Sequence, residues 1–222
     1  MSSTSTAHAA RRSRSARPVP SGRRMSPIPI VAAVVVLMGL VAIFASRGGS
    51  DGVPAGIEQV RPATVSGASL PVAGDGTDLA IGMAIPAVEG QDFDGAPVSI
   101  RADGTPKLIV FLAHWCPHCQ KEVPVITDWL AGSGAPEVVD LLGVSTEVSP
   151  DLPNYPPSAW LEREKWPVPV LVDNTDRLVK EAFGVSGFPF FVAVDAAGEV
   201  VARGSGELDT DALDELVRIA TS

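Results

Sequence analysis

Lys107-Leu108-Ile109-Val110-Phe111-Leu112-Ala113-His114-Trp115-Cys116-Pro117-His118-Cys119 is the stretch on which the reading of this chain turns. A continuous apolar run ends there, a helical pattern begins, and two cysteines three apart sit on the junction. The run, Lys107 to Ala113, predicts a strand covered on both faces. The pattern from Cys116 to Leu130 predicts a helix starting at the first cysteine. Unpaired N–H groups and the positive end of the helix dipole stabilise a thiolate at that position, and the thiolate is the species that attacks disulfides. Cys116 is therefore the expected nucleophile. Cys119, three residues on and on the same helical face, can resolve a mixed disulfide by forming the Cys116–Cys119 bond. Pro117 suits the first helical turn, where a missing N–H costs nothing, and is assigned to the substrate-facing surface.

His118, between the cysteines, can direct a hydrogen bond or a positive charge toward the Cys116 thiolate. Stabilising the reduced thiolate makes the disulfide more oxidising, so a disulfide-donating pair is expected; the alternative is a solvated helix residue. Trp115 either presents its ring to a partner peptide or packs beside the site. These are the only two cysteines, so a framework of several disulfides is not available.

Further strands are predicted at Val138 to Val144, Val168 to Val172 and Phe190 to Val194, with helices at Ser158 to Lys165, Thr175 to Phe183 and Thr210 to Ala220. Asp209 is placed to cap the last helix. The alternation argues for an α/β fold with helices on both faces of the sheet. A hairpin of Phe190 to Val194 with Glu199 to Arg203 makes that sheet mixed.

The front of the chain is different. Seven of the 17 basic residues and none of the 26 acidic ones precede residue 51, which leaves a net charge of −16 on the remainder. A body so acidic repels phosphate backbones, which excludes it as a nucleic-acid-binding domain. Residues 1–26, rich in Ser, Ala, Arg and Pro, predict a disordered cytoplasmic tail. Residues 27–45 predict a transmembrane anchor, whose uncharged run Ile28 to Ala45 suffices for most of a bilayer core. Arginines crowd its N-terminal side, so the positive-inside rule puts the acidic body outside a cell membrane crossed once. A cleaved signal peptide is the competing reading. Residues 46–80, rich in Gly, Ser and Pro, predict a flexible linker, and residues 81–222 the folded domain.

With Trp115, the Cys-x-x-Cys pair and Pro124 five residues after Cys119, Lys107 to Leu130 resembles the active-site strand and kinked helix of the thioredoxin superfamily. Phe188-Pro189 ahead of Phe190 to Val194 is similar to that family's cis-proline loop. The resemblance implies that Pro189 lies beside the cysteines and that Phe188 helps to receive the substrate backbone. Anchor, spacer and a helical insert around Trp160 most resemble the membrane-tethered TlpA-like branch, in which some members keep an acid near the cysteines; Glu147 is the candidate, with a solvated loop acid as the alternative. Two departures stand out. Val110 replaces the buried Asp of thioredoxins proper, and Pro117-His118 is more typical of disulfide-donating DsbA proteins than of reductive TlpA-like ones.

His114, Cys116, His118 and Cys119 are four metal donors within six residues, which raises copper or zinc delivery as an alternative; the spacing is against a closed site. A peroxidase would need Thr where Ala113 stands. A non-catalytic binding module is the other alternative class. The expectation is an extracytoplasmic thiol–disulfide oxidoreductase that needs no cofactor or metal beyond its own cysteines. Its partners would be exported protein thiols or disulfides and a membrane or extracytoplasmic redox partner. The reverse direction, a reductase supplying electrons to apocytochrome or other exported thiols, is the alternative.

Overall fold

The computed structural model describes residues 58–74, 76–132 and 138–222, all within one compact unit, Gly52–Ser222. The expected tail and the apolar run Ile28 to Ala45 lie outside the described residues. Among those described, no helix is long and apolar enough to cross a membrane.

In chain order the elements are β1 (Thr64–Ser66), β2 (Ala87–Gln91), β3 (Pro97–Ile100), β4 (Lys107–Leu112), α1 (Pro117–Gly132), β5 (Asp140–Ser145), α2 (Pro157–Arg163), β6 (Val170–Val172), α3 (Leu178–Ala182), β7 (Phe190–Val194), β8 (Val200–Ser205) and α4 (Thr210–Ala220). They form one mixed sheet of order β1-β2-β6-β5-β4-β7-β8, with β3 paired to β2. β4 runs parallel to β5 and antiparallel to β7, and β7 turns into β8 as the expected hairpin.

β4 is buried along its whole length because each face is covered. Ile109 and Phe111 point into a core shared with Val179, Ala182 and Phe183 around α3. Leu108, Val110 and Leu112 point the other way, against Val123, Ile126 and Trp129 of α1 and Leu213 and Val217 of α4. Period-two alternation thus feeds two cores from one apolar run. Asp209 caps α4 by accepting the Ala212 N–H at 2.9 Å.

The expected linker through residue 80 ends earlier than its composition implies. β1 pairs with β2 from Thr64 to Ser66, and Ala63, Leu70 and Ala80 belong to the core. The Arg203 side chain, fully buried, grips this segment: Nε and one terminal nitrogen each donate to the Asp78 carboxylate at 2.7 Å, and the same terminal nitrogen reaches the Pro71 carbonyl at 2.6 Å. Its other terminal nitrogen donates to the Phe183 carbonyl at 2.8 Å. A few contacts of high value replace the long apolar run that composition alone would require.

Candidate active site

Cys116 stands immediately before α1: its N–H donates to Ala113 O at 3.0 Å and its carbonyl accepts the Gln120 N–H at 3.1 Å. It is thus the cap residue of a helix whose first N–H groups lack intrahelical partners. Cys116 Sγ donates to the Phe188 carbonyl at 3.5 Å, which joins the helix start to the loop before β7. The Phe188–Pro189 peptide is cis, as the family resemblance implied, and Pro189 is buried. Cys119 is fully buried, and burial pushes its thiol well above the ordinary range, with the neighbouring Cys116 and Glu122 adding to the rise.

The two aromatic residues expected at the substrate surface come together: Trp115 and Phe188 meet edge to face with centroids 6.2 Å apart. Trp115 is also tied down, since its Nε1 donates to the Glu147 carbonyl at 2.8 Å. It forms one wall of a cleft of about 210 Å³ shared with Val60, Glu147, Leu152, Asn174 and Arg177. Pro117 is the first residue of α1 and is exposed.

His118 does not meet the expectation set for it. Its Nδ1 lies 2.6 Å from Glu207 Oε1, on the loop between β8 and α4, and the same oxygen takes a hydrogen bond from Lys121 Nζ at 3.2 Å. The His118 and Lys121 hydrogen bonds hold the Glu207 carboxyl below the usual range. The imidazole Nδ1 is therefore committed to a carboxylate. Its i+3 neighbour on α1, Lys121, turns toward the same acid because both lie on the exposed helical face.

Glu147 is also displaced from its expected role. Its backbone is left-handed, with φ of 53°, and its carboxylate is taken by Lys180 Nζ at 3.0 Å and Arg177 at 3.7 Å. The acid at the cysteines is Glu122. Only 1% exposed, it accepts the Leu208 N–H on Oε2 at 3.0 Å, while Oε1 has no hydrogen-bond partner among the described residues. Burial pushes its carboxyl up to about 7, opposed by the Leu208 bond and reinforced by Glu207. A signal for it did exist. Cys119, Glu122, Val123, Ile126 and Trp129 form the buried stripe of α1, so Glu122 is a lone acid at an apolar-face position.

His114, the other imidazole of the motif, is buried away from the sulfur atoms. Nδ1–H donates to the Pro153 carbonyl at 2.7 Å and Nε2 accepts the Ser149 N–H at 3.1 Å, which fixes a neutral tautomer. Burial holds its pKa below the ordinary histidine value. The four donors of the motif thus do not converge, and no group of three or more His, Cys, Asp or Glu placed to hold a metal occurs among the described residues.

Comparison with known proteins agrees with this geometry. The thioredoxin domain of a thiol-disulfide oxidoreductase from Bacteroides vulgatus is 26% identical, with a TM-score of 0.50 over 63% of this chain and 99% of that one. StoA from Bacillus subtilis, 19% identical, shares the fold with a TM-score of 0.51 over 59% of this chain and 95% of that one. The methylamine utilization protein MauD of Methylobacillus flagellatus is 29% identical over 127 residues, 56% of this chain; the match spans 57% of MauD. The Redoxin family model matches residues 80–218, from the segment latched by Arg203 to the last turns of α4, and the chain belongs to the Redoxin family.

Proposed function

We propose that this Redoxin-family protein is an extracytoplasmic thiol–disulfide oxidoreductase that exchanges disulfides with exported proteins through Cys116 and Cys119. The observation that carries the reading is the placement of Cys116 at the start of α1, against the Phe188–Pro189 loop, with a buried partner thiol and a buried acid behind it. The expectation that the anchor Ile28 to Ala45 holds the acidic body outside the membrane rests on the arginine asymmetry.

In the donating direction a substrate thiolate attacks Cys116 Sγ of the oxidised pair. The Cys116–Cys119 bond breaks, and Cys119 leaves with the electron pair. A thiol in so apolar a setting is a poor place for negative charge, so it must be protonated as it leaves. Glu122, protonated below about pH 7, supplies that proton. A second substrate thiolate then attacks the mixed disulfide, Cys116 departs as the thiolate, and a substrate disulfide is formed. Two electrons pass from the substrate dithiol to the enzyme; the substrate's two protons go to solvent as its thiolates form, and Glu122, left ionised once Cys119 is protonated, takes one back. Reversal gives the reductase, in which Glu122 takes the Cys119 proton instead.

The Cys-Pro-His-Cys motif supports the donating direction, whereas the commitment of His118 to Glu207 favours the reductive one. A redox partner is required either way, to remove or resupply electrons. Equilibrating the full-length protein with glutathione buffers separates the two. A potential well above that of thioredoxin, about −270 mV, is the result expected of a donor. A value near or below it makes the protein a reductase, and the absence of a two-electron couple would overturn the enzyme reading in favour of metal delivery or a binding module.

A further inference from the structure

We propose that Glu207 is a positioning residue that sets the reduction potential of the cysteine pair by holding the His118 imidazole off the Cys116 sulfur. The inference rests on the redox function proposed above and deepens it, because it names the group that decides how oxidising the pair is.

Three contacts carry it. The first is the 2.6 Å approach of His118 Nδ1 to Glu207 Oε1. The second and third pin the backbone on either side of Glu207: Gly206 N–H donates to the Pro189 carbonyl at 3.0 Å, and Leu208 N–H donates to Glu122 Oε2 at 3.0 Å. The loop carrying Glu207 is therefore fastened both to the cis-proline loop and to the buried acid of α1. A carboxylate presented from so fixed a backbone loses little further freedom in gripping the ring, unlike an ordinary surface pair.

His118 is 62% and Glu207 39% exposed, so the pair is worth little to stability. Its effect lies in where charge sits. A ring free to turn toward Cys116 can direct an N–H at the thiolate and so favour the reduced state. With its Nδ1–H given to the Glu207 carboxylate, the same ring is turned to the loop and the reduced state loses that support. Lys121 shares the Glu207 oxygen and lies on the same exposed face, so its charge is also partly spent on Glu207. The Pro-His dipeptide thus belongs to a donor-like motif whose oxidising bias is restrained from a loop 89 residues away.

The couple to be read is the reaction of the Cys116–Cys119 disulfide with two glutathione thiols to give two protein thiols and one glutathione disulfide. It is measured at pH 7 on the full-length protein as wild type, E207Q, E207A, H118A and the H118A/E207Q double variant. The equilibrium constant for reduction is expected to rise about tenfold in E207Q and E207A, equivalent to about 30 mV. In the H118A background E207Q is expected to change it less than twofold. Constants within twofold of wild type in both Glu207 variants would overturn the inference, as would the same tenfold rise without His118, since the carboxylate would then act on the sulfur without the ring. If no variant shows a two-electron couple, the proposed function fails and this inference with it; a couple that ignores Glu207 removes this inference alone.

Discussion

The Glu122 carboxyl is held up at about 7 by burial, at the position where the proposed exchange has Cys119 gain or lose a proton. Gln keeps the oxygen that accepts the Leu208 N–H but cannot carry that proton, so E122Q is expected to slow disulfide exchange by about a hundredfold. It should also flatten the pH–rate profile around 7, which stopped-flow exchange with a model disulfide would read. Stability supplies a second readout whose sign is fixed. The folded carboxyl keeps its proton up to about pH 7 while the unfolded one sheds it above the ordinary value of 4.5. The folded state therefore binds more protons across that window, and wild-type stability declines as pH rises through it. E122Q escapes this decline, so its melting temperature should overtake that of wild type by about 2–4 °C at pH 8 in calorimetry, equivalent to roughly 1 kcal/mol. At this scale the two cysteines are plain in the sequence, because a local spacing at a strand–helix junction defines them. Glu122 shows in the sequence only once the register of the helix is known. Glu207 could not be found there, since nothing local links it to His118.

At the scale of elements, one buried carboxylate connects the active-site end of the sheet to α3. Asp173, 1% exposed at the end of β6, accepts the N–H groups of Asn174 and Val179 on Oδ1 at 2.9 and 3.0 Å. Its Oδ2 accepts from the Thr146 hydroxyl at 2.8 Å and the Lys180 N–H at 3.1 Å. Asp173→Ala leaves four donors without their acceptor and is expected to cost about 3 kcal/mol, lowering the melting temperature by roughly 10 °C. The next residue explains why the predicted helix Thr175 to Phe183 shortens to Leu178–Ala182: Asn174 Oδ1 takes the Leu178 N–H, Arg177 adopts a φ of 60°, and the turn uses up three residues. The central strands were legible because burial on both faces makes them continuous apolar runs. β2, Ala-Val-Glu-Gly-Gln, was not, for its exposed Glu89 and half-buried ends break that signal and its order comes from pairing with β1 and β3.

For the molecule as a whole, the fold is closed by a segment whose composition suggests a tether. Asp78 is held below the ordinary carboxylate range first by its hydrogen bond to Arg203. Its depressed folded pKa means that the contribution is intact above the ordinary value and is lost as pH falls toward the folded one. Asp78→Ala leaves a buried guanidinium without its counter-charge and is expected to cost about 3–5 kcal/mol. Calorimetry at pH 7 would detect this, and the gap to wild type should narrow on acidification below about pH 4. Gly184 shows how tight the closure is: with φ of 63°, a Cβ there would stand 2.2 Å from the Pro71 carbonyl oxygen. Composition could not reveal this arrangement because Gly, Ser and Pro serve a close-fitted strap as well as they serve a loose one.

The strap also defines a mechanical load path. A pull on Glu58 would reach Gln59 first, whose Oε1 accepts the Ser158 N–H at 3.0 Å, and then Arg61, which is held by its N–H to the Asp173 carbonyl at 3.3 Å and by its guanidinium to the Phe93 carbonyl at 2.6 Å. β1 and the Arg203 clamp come later along the chain. Val60, between Glu58 and Arg61, is a wall of the cleft beside Trp115. Tension entering from the N-terminal side would therefore reach the wall of the cleft beside Trp115 before it reached β1 and the Arg203 clamp.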